Sequence, residues 1–245
     1  MRPFPVVEPP LGRYAAKHFR LAVEGKVATV ALPEEVAMVR EVRAAIGPER
    51  ELRLDANGGW TVPTARDALR RLDTYDIRYY EDPAETHEEL AALRPATRAS
   101  FSSHLTDLRR AVERRAPDTI VSNLNEFGGV RRTVEFIRAC ERFDVGFRFH
   151  SGETGIGSAA YLQLSAAIGH VREPSQTLLR WYADDVIAEG PFVPHGGTVA
   201  VPAGPGLGVT LDPVALARCH ERYRTEGPFP GGAGQPGYGA SFRRT

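Results

Sequence analysis

The sequence predicts a parallel α/β fold, either a barrel or a doubly wound open sheet. Strand-like and helix-like segments alternate from Glu51 to Ile168 with a repeat of roughly 20 to 27 residues, and each helix carries the chain back so that successive strands run parallel. The strands are mostly apolar, as a sheet covered by helices requires. No G-x-G-x-x-G follows the first strand, which weakens a dinucleotide-binding expectation.

The elements follow in order. Residues 1–12 are proline-rich and expected to be irregular. PEEVAMVREVRAAI, from Pro33 to Ile46, is an amphipathic helix with Val36, Val39, Val42 and Ile46 on one face. Glu34 and Glu35 occupy its first turn, where the helix dipole favours them, and Gly47-Pro48 stops it. ELRLD is then a short strand and Thr64 to Leu72 a helix, with Thr61 as its N-cap and Trp60 as a packing residue. DIRYYED, RASFSS, DTIVSN and VGFRFH are the next strands. Glu88 to Leu93, Asp107 to Arg115, Val130 to Arg142 and Gly157 to Ile168 are the helices that follow them in turn. Beyond about residue 175 the character changes. GGTVAVPAGPGLGVTLD suggests a strand, a turn and another strand, Pro213 to Arg224 a helix, and the Gly/Pro-rich stretch 226–245 a poorly ordered tail.

Composition narrows the function classes. Basic and acidic residues balance at 31 each, so bulk charge gives no ground for a nucleic-acid or membrane-surface partner. Cys140 and Cys219 fit neither a disulfide framework nor a zinc pattern. No apolar run reaches spanning length and MRPFPVVEPP has no signal-peptide core, so a cytoplasmic soluble protein is expected. The arginines at 109, 110, 114 and 115 form a solvated helix face. His18, His87, His170, His195 and His220 show no ligand spacing and are taken as surface or structural.

The functional signal is a row of polar strand ends. Asp55 ends one strand, Glu81 the next, Ser102 or His104 the third, Asn123 the fourth and His150 the fifth. In a parallel α/β fold these ends share one face, where sites are built. Two carboxylates on adjacent strands repel unless positive charge lies between them. A hard divalent cation, best Mg²⁺, meets that need. The alternative is that Asp55 caps its turn and Glu81 pairs with an arginine. HSGETGIG, residues 150–157, either holds an anion at the following helix N-terminus or is a plain loop.

LRLDANGGW, YYEDP, FSSHLTDLRRA, FRFHSGETGIGSAA and VAVPAGPGLGVTLD together resemble the barrel domain of the enolase superfamily, in its mandelate racemase-like branch and nearest the glucarate dehydratase group. The resemblance covers roughly residues 17–225 and implies a partial TIM-like (β/α) barrel of the enolase C-terminal domain type, without the N-terminal capping domain. It divides the chain into an irregular segment 1–16, the partial barrel 17–175, a strand-turn-helix segment 176–225 completing the domain, and the tail. It also implies that the first barrel strand is missing, leaving an edge to be covered by the N-terminal segment, by a second protomer or by sequence upstream.

The resemblance implies a Mg²⁺-dependent lyase that abstracts the proton α to the carboxylate of a small hydroxy acid or acid sugar and eliminates a β-hydroxyl. It assigns the metal ligands to Asp55, Glu81 and Ser102, acid/base chemistry to His150, and the group that partners His150 to Asn123. Asn57, His104, Asn125 and Ser151 are candidates to contact substrate. The family's second-strand K-x-K falls on Arg20 and Ala22, or with a shifted gap on Glu24 and Lys26, and neither alignment restores both lysines. Serine brings no charge to a metal, and asparagine cannot stabilise an imidazolium as an aspartate would. His104, two residues beyond Ser102, could supply a substitute ligand or base, and Glu126 could replace lost negative charge. Two other functions are therefore carried: a catalytically impaired remnant that binds a metabolite or protein, and a racemase or epimerase on the same scaffold. A homo-oligomer is a further expectation.

Overall fold

The computed structural model describes residues 27–150, 154–175, 184–195 and 198–227 in full, and the backbone alone of residues 4–5, 7–8, 16–19, 22–26, 151 and 176–177. Five strands form the body of one curled half-barrel: β5 (Glu51–Asp55), β6 (Ile77–Glu81), β7 (Ser100–Ser103), β8 (Thr119–Ser122) and β9 (Gly146–Ser151). All run parallel, each beside the next in sequence. β4 (Ala22–Lys26) and β10 (Gln176–Thr177) extend the sheet in parallel at its two ends. β3 (Ala16–Phe19) and β2 (Val7–Glu8) add antiparallel beyond β4, so its edge is paired by the chain's own N-terminal segment. β1 (Phe4–Pro5) pairs with β11 (Thr198–Val199). Strands β1 and β2 thus lie within the proline-rich segment expected to be irregular.

The connecting helices are α1 (Leu32–Ile46), α2 (Val62–Leu72), α3 (His87–Leu93), α4 (Leu108–Arg114), α5 (Val130–Arg142) and α6 (Gly155–Ala167), with α7 (Pro213–Glu226) at the end. Their starts are written locally. Thr61 caps α2, accepting from Thr64 N–H, and Thr86 and Glu89 form a capping box on α3. Helix α2 buries Ala65, Ala68, Leu69 and Leu72, one face at helical spacing. Outward-facing Leu52, Leu54, Tyr80 and Phe101 meet these helices in one cluster; Phe147, Phe149, Ile137 and Tyr161 form a second. Helix α6 is buried on nearly all sides. The C-terminal segment covers its outer face, where Gln163 Nε2 donates to Pro202 O at 2.7 Å and Leu162 packs on Val199 and Val201.

One local expectation holds with a difference in burial, and one changes. Glu34 and Glu35 both stand in the first turn of α1, but Glu35 faces inward. It is fully buried, its carboxylate accepting from Thr29 and Val30 N–H and from Trp60 Nε1–H, which anchors the packing Trp60. Burial pushes its carboxyl above the usual range, although those hydrogen bonds oppose the shift. The second strand foreseen in VAVPAGPGLGVTLD also does not form. Leu211 makes a single bridge with Ile187, held by Ala188 N–H to Thr210 O and Asp212 N–H to Val186 O.

Candidate functional site

Register, more than proximity in sequence, assembles the site. Asp55 pairs with Glu81, and Glu81 with Ser102, so the three stand abreast on β5, β6 and β7. Each is at most 2% exposed. His150 lies near the same end of β9 and Asn123 directly follows β8. On the other side Lys26 of β4 pairs with Asp55. Arg20, Gly152, Glu153 and the tail beyond Gly227 lie outside the described residues, as do the side chains of Ala22, Glu24, Lys26 and Ser151.

The D-A-N-G-G turn explains the strand end at Asp55. Asp55 Oδ1 accepts from Asn57 N–H at 2.9 Å, and Asn57 and Gly58 take left-handed φ values of 50° and 68°. Strand alternation therefore stops at Asp55: the aspartate is buried and Asn57 is exposed. A Cβ at Gly59 would fall 2.8 Å from Ala28 Cβ, so glycine is required for the close packing of that loop.

Glu81 meets a cation already within the chain. Arg148, two residues before His150 and so on the same face of β9, is buried and ion-pairs with Glu81 Oε2. Its Nη2 also donates to Ser102 Oγ at 3.4 Å. Both contacts of the non-metal alternative are thus present: a turn at Asp55 and an arginine on Glu81. Arg148 is not among the site residues expected from the strand ends. Its signal was the phase of F-R-F-H, which puts an arginine and a histidine on one face between two buried phenylalanines.

On the solvent side of Glu81, His104 and Asp82 complete a cluster whose donor atoms lie within 4.8 Å of one another. His104 Nδ1 is 2.5 Å from Asp82 Oδ2, and its Nε2 is 3.9 Å from Glu81 Oε1. Asp82 Oδ1 accepts from Ser103 Oγ–H at 2.7 Å and from His104 N–H at 3.0 Å. Burial works to raise the Asp82 carboxyl, but His104 and Ser103 outweigh it and hold the carboxyl below the usual range. The His104 and His150 rings meet edge to face with centroids 5.5 Å apart.

The remaining candidates are dispersed. Asn123 Oδ1 accepts from Glu126 N–H at 3.0 Å, which ties its amide oxygen into the following turn. Asn125 and Glu126 are exposed on that turn. The anion-binding alternative for HSGETGIG is answered inside the chain: Gly155 N–H, at the start of α6, donates to Asp185 Oδ1 at 2.8 Å. The polar groove of about 560 Å³ between Pro48 and Ser100 lies at the other ends of the strands, away from these residues.

The comparisons bear on this arrangement. Residues 11–215 match the family model described as "Enolase C-terminal domain-like". A probable glucarate dehydratase of Streptomyces coelicolor is 31% identical over 196 residues, covering 78% of this chain and 45% of that protein. An o-succinylbenzoate synthase of Thermobifida fusca is 32% identical over 174 residues, covering 68% and 54%. An enolase-type structure from Thermobispora bispora, complexed with magnesium and formate, is 32% identical with a TM-score of 0.76, covering 82% and 50%. The chain spans about half the length of these relatives. Parallel half-barrel, strand-end acids and sequence match agree, and the chain belongs to the enolase C-terminal domain-like family.

Proposed function

We propose that the chain serves a Mg²⁺-dependent, dehydratase-type lyase acting on a hydroxy carboxylate of the acid-sugar class in the cytoplasm. The observation that carries this is the register that sets buried Asp55 and Glu81 abreast at the strand ends, with His150 at the same end of the half-barrel. The dehydratase relative and the magnesium and formate of the related structure support it.

The residues fit a divalent ion on its charge requirement. Glu81 pairs with one guanidinium through Oε2, and its second oxygen and the neighbouring buried Asp55 supply negative charge of the kind a divalent ion needs. Asp55 and Glu81 would hold the ion, with Ser102 as a neutral neighbour. Bound there, the ion supplies fixed positive charge against which a substrate carboxylate can gain electron density. An imidazole nitrogen of His150 takes the α-proton; the electron pair left behind forms the C=C bond as the β C–O bond breaks. His150 then returns the proton to the departing hydroxide as water. The Asn123 amide N–H is the group available to orient His150, since its oxygen serves the turn.

The test is calorimetry of Mg²⁺ on the full chain, repeated with Asp55→Ala and Glu81→Gln. Incubation with D-glucarate and D-galactonate follows, with assay for a 2-keto acid. Saturable binding lost in both variants, with keto-acid formation, is the expected result. A folded wild-type chain that binds no Mg²⁺ would overturn it. That outcome would favour a metabolite-binding remnant, a function to which the Arg148–Glu81 pair and the engaged Asn123 oxygen also point.

A further inference from the structure

We propose that His104, and not the register-matched Ser102, is the donor that shares a strand-end cation with Glu81, and that the site therefore prefers an imidazole-binding ion such as Mn²⁺ over Mg²⁺. This rests on the divalent-cation function proposed above and deepens it.

Ser102 is poorly placed to be a ligand. Its hydroxyl is uncharged, and its oxygen accepts from Arg148 Nη2 at 3.4 Å, with the guanidinium standing on the Ser102 side of Glu81. A cation approaching Ser102 meets that fixed positive charge at close range. The same ion pair engages Glu81 Oε2 and leaves Oε1 turned the other way, toward His104.

His104 is built for the role. The Asp82 carboxylate accepts from Ser103 and from His104 N–H, so it acts as an acceptor, and Nδ1 donates to its other oxygen at 2.5 Å. That bond sets the tautomer and turns the Nε2 lone pair toward Glu81 Oε1. The 3.9 Å between Nε2 and Oε1 is too long for a hydrogen bond. One ion bound to both would draw them together by a few tenths of an ångström, since two metal–ligand bonds of about 2.0–2.2 Å at a near-tetrahedral angle span about 3.4 Å, and the exposed His104 ring has room to make that shift. A carboxylate behind a histidine is the usual support of a metal-bound imidazole, and Asp82 is that positioning residue here. His104 is 40% exposed, which leaves an open side for water or substrate. An imidazole donor favours first-row transition ions over Mg²⁺, which takes oxygen ligands.

The experiment loads the full chain with Mn²⁺ and reads affinity by calorimetry and ligand type by pulsed electron paramagnetic resonance. Expected are tighter binding of Mn²⁺ than of Mg²⁺ and a ¹⁴N coupling from a bound imidazole. That coupling should vanish in His104→Phe with at least about a tenfold loss of affinity, and persist in Ser102→Ala and in His150→Phe. Asp82→Asn should keep the coupling while weakening Mn²⁺ about tenfold; unchanged affinity there removes Asp82 from the site. Mn²⁺ bound without nitrogen coupling, or with coupling that survives His104→Phe, overturns the inference and leaves the Mg²⁺ function standing. No divalent binding at all overturns both. Because His104 is at the surface, His104→Phe should stay folded, and a circular dichroism melt checks this.

Discussion

The guanidinium of Arg148 rests on the carboxylate of Glu81, each side chain 2% exposed, at the centre of the strand-end row. The pair places a fixed positive charge inside an otherwise acidic site. It also separates the Ser102 side of Glu81 from the His104 side. Desolvating both ions costs much of what their attraction returns, so the pair matters most when one member is removed.

Arg148→Met should therefore destabilise the chain by about 3–5 kcal/mol, measured by urea unfolding. Arg148→Met with Glu81→Gln should recover most of that loss, because no buried charge is left uncompensated. A single variant within about 1 kcal/mol of wild type would mean that water reaches Glu81. Mg²⁺ should raise the melting temperature of the single variant more than that of wild type, since it can take the place of the missing charge.

A second buried arginine closes the half-barrel at a lower layer. Arg53 Nη2 donates to Glu173 Oε2 at 2.6 Å, and Tyr79 Oη–H donates to Glu173 Oε1 at 3.1 Å, tying the segment before β10 to β5 and β6. Glu173 is 25% exposed, which lowers the penalty below that of a fully buried pair. Glu173→Ala should cost about 2–3 kcal/mol, and Glu173→Gln about half of that, because the amide oxygen still accepts from Arg53 while the amide N–H can donate to the Tyr79 hydroxyl. Equal losses in the two variants would show that charge, not shape, matters there.

Glu35 makes stability depend on pH. Burial raises its carboxyl above the ordinary glutamate value of 4.5. A carboxyl with a raised folded pKa binds its proton more tightly in the folded state. Its stabilising contribution is complete below 4.5 and is lost as pH rises through the folded value. Glu35→Gln keeps an acceptor and does not titrate. The stability of wild type relative to this variant should rise on acidification from neutral pH. Thermal melts across that range check the sign, and a pH-independent difference would count against it.

The two thiols should differ in reactivity. Cys140 is fully buried, and burial pushes its thiol up to about 12, whereas Cys219 on α7 is half-buried. Native chain should release one thiol equivalent to an aromatic disulfide reagent and two after denaturation. Cys219→Ser should abolish the native reaction, and a Cys140 that reacts quickly would indicate opening between α5 and the sheet.

Much of the fold was legible because its signals are local. Helix faces recur every three or four residues, as in α2, and caps such as Thr61 and Thr86 act within one turn. The strand–helix repeat also brought Asp55, Glu81 and Ser102 to one end, since each unit returns the chain to the same face.

The sequence by itself thus determined the parallel strand–helix order and the positions of its strand-end acids, and the family resemblance narrowed that order to a partial barrel. The tertiary structure alone decided what each acid meets. Arg148 on Glu81, Asp82 behind His104 and Asp185 at the start of α6 join residues 67, 22 and 30 positions apart. Such partners depend on register between strands and on the curl of the sheet, which local periodicity does not encode. The same holds for VTLD: its apolar alternation suits a strand, but a strand needs an edge to pair with, and there it finds one bridge.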